Sequence, residues 1–178
     1  MVALSELSER NEFSAVIIRT DFTDETVWRE VTAELAKSTE DDDVADDDDG
    51  AGNDFADHFL VLDAPELGDA DTDTILAAIA AHETLGNELE LVFVADSTTM
   101  RADHHALLAI TTLTREDIDD DEAYEAMVEF GREFRTVPSG VHEIQVNVEL
   151  ANMDFEEFSA SADADPEGVF RSFLLEDS

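Results

Sequence analysis

Leu89-Glu90-Leu91-Val92-Phe93-Val94-Ala95-Asp96 decides the fold of this chain. The stretch begins in alternation, apolar against acidic, and ends as an unbroken apolar run, the pattern of a strand covered on both faces. A strand of that kind belongs in the middle of a layered α/β molecule, because each face needs its own cover. Upstream, residues 14–20 read Ser-Ala-Val-Ile-Ile-Arg-Thr, a second β-branched run, and Asp21 follows it as Asp96 follows the first. Residues 59–62, Phe-Leu-Val-Leu, form a third and end at Asp63.

Further along, residues 106–113 and 133–137 read as strands, the latter stopped by Pro138. Residues 142–150 alternate, with Ile144, Val146, Val148 and Leu150 against Glu143, Gln145, Asn147 and Glu149. A helix would claim Val141, Ile144 and Val148, but period two matches more positions, so a sixth strand is expected. Between these lie helical faces: Val27, Trp28, Val31 and Leu35 behind the acids of residues 21–25, ending near Lys37; Ile75, Leu76 and Ile79 behind Asp71 and Asp73; Tyr124, Met127 and Val128 behind residues 119–121, closed by Gly131. Asp154 opens a last helix, with Glu157 as its capping-box partner and Met153 as a staple to Phe158. The polar link 97–105 permits either an antiparallel neighbour or a short helical crossover. The expected fold is a single α/β domain over residues 14–173, a mixed central sheet of about six strands with about four helices. Residues 1–13 are read as a flexible segment, 39–54 as a disordered acidic insert and 174–178 as a tail.

Charge bounds the environment more tightly than the activity. Forty-seven acidic residues face nine basic ones, a formal net charge of −38, and Lys37 is the single lysine. Nine carboxylates fall in residues 40–54, which leaves 29 of the 38 excess charges elsewhere, so an acidic tail does not account for the imbalance. Self-repulsion on that scale is quenched where the Debye length falls to roughly 3 Å, at about 1 M salt. A salt-filled cytoplasm is the expected setting. Phosphate backbones and anionic lipid surfaces need clustered lysine and arginine, so nucleic acid and membrane are excluded as expected partners. The absence of cysteine removes disulfides and thiolate metal sites.

Asp21, Asp63 and Asp96 follow strands, and an α/β sheet collects ligands at the carboxyl ends of its strands. Together they would hold one Mg²⁺, with Ser97, Thr98 or Thr99 touching a phosphate. Against that stand the distance in sequence of the sole lysine and the aptness of aspartate for turns and caps. Histidines are scattered, and His104 and His105, being adjacent, point apart in an extended segment. No Gly-x-Ser-x-Gly turn, phosphate-binding glycine loop or dinucleotide fingerprint occurs. Arg19, Arg132, Arg135 and Arg171 stand out in so acidic a chain. Arg19 and Arg135 are candidates for gripping an anion or an acidic partner group, with internal ion pairing as the commoner role. Asn147 and Asn152 are candidates to line a polar groove or to tie down backbone.

Arg19-Thr20-Asp21-Phe22-Thr23-Asp24-Glu25 with Trp28, then Phe93-Val94-Ala95-Asp96, Phe134-Arg135-Thr136-Val137-Pro138, Asn152-Met153-Asp154-Phe155-Glu156-Glu157-Phe158 and Gly168-Val169-Phe170-Arg171, occur in order along the chain. Together they resemble an uncharacterised domain family best represented in high-GC bacteria, over about residues 14 to 173. The resemblance implies a single domain and brings no activity or cofactor with it. The function expected from the sequence is a non-catalytic binding or regulatory module that engages a protein partner, an immunity-type neutraliser of a basic toxin being one form. A Mg²⁺-dependent phosphoryl-transfer or hydrolytic enzyme built on Asp21, Asp63 and Asp96 is the alternative.

Overall fold

A computed structural model of the chain describes residues 15–40, 59–68, 71–81, 91–113, 115–116, 118–150 and 153–171. Six strands form one sheet: β1 (Ala15–Arg19), β2 (Phe59–Asp63), β3 (Leu91–Ala95), β4 (Leu107–Thr111), β5 (Glu133–Thr136) and β6 (Val169–Phe170), in the order β2-β1-β3-β4-β5-β6. β1 runs parallel to β2 and β3, β4 is antiparallel to β3 and β5, and β6 is parallel to β5. The described residues also form six α-helices: α1 (Glu25–Glu40), α2 (Thr72–Ala80), α3 (Ser97–Arg101), α4 (Asp121–Met127), α5 (Val141–Glu149) and α6 (Phe155–Ala164). The family of elements is the expected α/β single domain with a mixed sheet.

Both faces of the sheet are covered, which is why β3 is apolar throughout and β1 is apolar up to Arg19 at its end. Ala15, Ile17, Leu91, Phe93 and Ala95 face a core shared with Val31 and Leu35 of α1, Met127 of α4, Ile144 of α5 and Phe155 and Phe158 of α6. Val16, Ile18, Val92 and Val94 face the other way, onto Ile75 and Ile79 of α2. The chain leaves β1 outward to β2 and returns past β1 to β3. The gap between the carboxyl ends of β1 and β3 is therefore the topological switch point.

Residues 142–150 are a correction. Residues 142–149 lie in helix α5 with Leu150 as its C-cap, not in a sixth strand, and β6 takes that place in the sheet. Val141, His142, Ile144 and Gln145 are buried and Leu150 is 51% exposed, so the apolar face has helical spacing and the alternation was incidental. The turn Pro138–Gly140 ahead of it feeds the helix directly. The link 97–105 contains the short helix α3 and delivers β4 antiparallel to β3. α1 runs to Glu40, past Lys37 and into the first positions of the expected insert. The remainder of that insert, residues 1–13 and residues 174–178 lie outside the described residues. Gly131 has φ 105, the left-handed conformation expected of it after α4.

Candidate functional site at the strand ends

At the switch point Thr20, Val94, Asp96, Ser97 and Leu108, with Gly68 from the turn after β2, surround a hollow of about 260 Å³. Asp96 is its most constrained group. As N-cap of α3 it accepts from the Thr99 N–H at 3.2 Å, while the Thr99 hydroxyl accepts from the Asp96 N–H at 3.2 Å, a reciprocal capping box. From β5, Arg135 donates Nη1 to Oδ1 and Nη2 to Oδ2, each at 2.8 Å, and Nη1 also reaches the Ala106 carbonyl at 3.3 Å. Burial alone would push the Asp96 carboxyl up. The hydrogen bonds and charge of Arg135, with those from Thr99, outweigh it and hold the group below its ordinary value of 3.8.

Arg19, only 6% exposed, ends β1 on the opposite face. Its guanidinium lies 4.3 Å from the centre of the Phe22 ring and 4.6 Å from that of Trp28, and Nη2 donates to Glu25 at 2.7 Å. The spacing is local: a strand end, a turn and the first helical turn bring residues 19, 22, 25 and 28 together. Asp21 accepts from the backbone N–H of Thr23 at 2.8 Å and from its hydroxyl. The Thr23 hydroxyl first of all, helped by that N–H and the charge of Arg101, holds its carboxyl low against the opposing effect of burial. Asp63 is exposed and sits in register with Arg19 across the β1–β2 pair.

Of the candidates, the structure brings Asp96 and Arg135 into contact and sets Arg19 beside the Asp21 backbone, whose carbonyl accepts from Nε at 3.4 Å. Among the described residues no three His, Asp or Glu side chains are grouped to hold a metal ion. Asn147 donates to the Glu143 carbonyl one turn back at 2.7 Å, inside α5. Asn152 lies outside the described residues. His104 accepts from the Ala106 N–H and His105 reaches Glu30 at 3.5 Å, so the two rings hold different partners, though His105 has φ 51 and the segment is not extended as expected. Arg132 stands 3.5 Å from Asp73, and Arg171 bonds Asp165 at 3.0 Å and Glu167 at 2.7 Å. Thr99, expected beside a phosphate, is engaged in the capping box with Asp96; sequence reasoning missed that role, whose available sign was its place three residues after an aspartate.

What this arrangement does chemically is neutralise itself. The carboxylate at the switch point is matched by a guanidinium fork, and the cation at the end of β1 is held by two rings and an acid. One family model, described as Domain of unknown function (DUF6924), matches residues 14–173. No curated protein matches the chain.

Proposed function

The chain belongs to the DUF6924 family, whose description carries no activity, and from the geometry of the site we propose that it is a non-catalytic binding or regulatory module adapted to a salt-filled cytoplasm. The observation that carries the reading is the bidentate Asp96–Arg135 pair. A carboxylate that is to ligate Mg²⁺ or attack a phosphoryl group needs free lone pairs facing its ligand, and here both oxygens face one guanidinium. Asp21 is likewise engaged by Thr23 in its own turn. No helix among the described residues is long and apolar enough to cross a membrane. The surface charge supplies solubility in salt and discourages nucleic acid and lipid.

The test is a Mg²⁺ titration of the full chain in concentrated KCl at matched ionic strength, read as melting temperature and as hydrolysis of a chromogenic phosphate monoester. The reading expects neither to change beyond the effect of added ionic strength. A Mg²⁺-specific rise in melting temperature, or turnover, that disappears in Asp96→Asn would replace it with the enzyme alternative.

A further inference from the structure

At the far end of the sheet from the strand-end hollow, α4, the last turn of α5 and the first turn of α6 wall a groove of about 390 Å³. Its floor is apolar, with Leu113, Ile118, Met127, Val148 and Phe155. Glu149, Asp154 and Glu156 form an acidic rim. Burial first, then the charges of Asp154, Glu129 and Glu157, push the Glu156 carboxyl up, so the field at the rim is negative from several elements. Among the described residues no arginine lines it, and Arg115, the cation beside α4, turns instead to Asp121 and Glu125 and stacks on Tyr124. The large apolar side chains that stand exposed among the described residues are Phe130, three positions beyond the end of α4, and Leu150, next after α5. In a chain of net charge −38, the exposed apolar groups thus adjoin the helices that wall this groove.

We propose that the groove is a docking surface for a partner protein, through a segment that places an apolar side chain on the floor and a lysine or arginine against the Glu149, Asp154 and Glu156 rim. The proposal rests on the binding-module reading and gives it a surface. An apolar centre inside a charged rim is the anatomy of a protein interface. Phe130 and Leu150 add exposed apolar side chains close in sequence to two of the helices that wall the groove, which suits a macromolecular partner over a small ligand. A second copy of this chain would bury its own carboxylates at the rim with no cation to pair them, a desolvation cost that salt does not remove. Burial of the apolar side chain needs no steering charge, and a partly buried ion pair is screened less than an exposed one, so the contact is compatible with concentrated salt.

The experiment is selection of short random peptides displayed against the full chain in concentrated KCl, followed by fluorescence anisotropy with an enriched peptide. The expected peptides pair an apolar residue with lysine or arginine. Ala126 is exposed and lines the groove. Ala126→Arg fills the groove without touching the core, and should weaken binding by at least about tenfold. Glu156→Gln should weaken it several-fold, with circular dichroism of both variants unchanged. Failure to enrich any peptide overturns the groove. Peptides that bind Ala126→Arg as tightly as wild type also overturn it, while leaving a module that binds elsewhere. Mg²⁺-dependent turnover would overturn the module reading itself and leave the groove to be judged on the peptides.

Discussion

Arg135 and Arg19 hold a positive charge inside an acidic molecule by different means. Arg135 meets Asp96 with its planar fork where the side chains are 24% and 23% exposed, shielded enough for the hydrogen bonds to count. Asp96→Asn should cost about 2 kcal/mol, and combined with Arg135→Lys the loss should fall short of the sum by more than about 0.5 kcal/mol. Denaturant unfolding of the four proteins in high salt checks this, and additive losses would dissolve the pair. Because the Asp96 carboxyl is held below 3.8, its contribution is complete above that value and is lost as pH falls through the folded-state pKa. Asp96→Asn should therefore flatten the acid limb of the stability profile. Arg19 instead lies against Phe22 and Trp28. Arg19→Lys should cost about 1 kcal/mol through lost stacking and shift the emission of Trp28, the sole tryptophan. An unchanged spectrum would mean the cation does not rest on the ring. These partners were only half legible: the local cluster follows from spacing, whereas Asp96 and Arg135 are 39 residues apart and meet only through the sheet order.

Among the elements, those set by local chemistry were readable and those set by tertiary packing were not. Aspartates ahead of apolar faces marked α1, α2, α4 and α6, and unbroken apolar runs marked β1 and β3. α5 was lost because Ile144, Val146, Val148 and Leu150 satisfy period two by accident, while the burial of Gln145 that betrays the helix is invisible in sequence. β6, only Val169–Phe170, is too short to announce itself. The junction into α5 is tight. A Cβ on Gly140 would lie 2.5 Å from the Thr136 hydroxyl and 3.0 Å from the Phe170 ring, so Gly140→Ala should cost about 1–3 kcal/mol, measurable as a lower melting temperature. An unperturbed variant would mean that α5 does not seat against β5 and β6 as described. At the start of α6, the raised Glu156 carboxyl makes its ionised form unfavourable in the folded state. Its penalty sets in as pH rises from the ordinary 4.5 through the raised value, so Glu156→Gln should melt higher than wild type at neutral pH and lose that advantage in acid. The opposite order of melting temperatures would mean a cation already covers the rim.

For the whole molecule, composition spoke to the medium and stayed silent on the partner. The sheet buries apolar residues on both faces, while Arg19, Arg115, Arg132, Arg135 and Arg171 each pair with acids of the same chain. The 29 excess charges outside residues 40–54 remain for solvent to screen. No sequence motif announced the groove, since its walls come from α4, α5 and α6 and one of these was misread as a strand. A salt-adapted module with a self-neutralised strand-end site is the central claim, and the melting temperature of the full chain tests it, followed from about 0.1 M to about 3 M KCl with and without Mg²⁺ at matched ionic strength. The account predicts a cooperative transition that climbs steeply with KCl and is indifferent to which cation supplies the ionic strength. A melting temperature flat across the range, or a Mg²⁺-specific rise that Asp96→Asn abolishes, would contradict it.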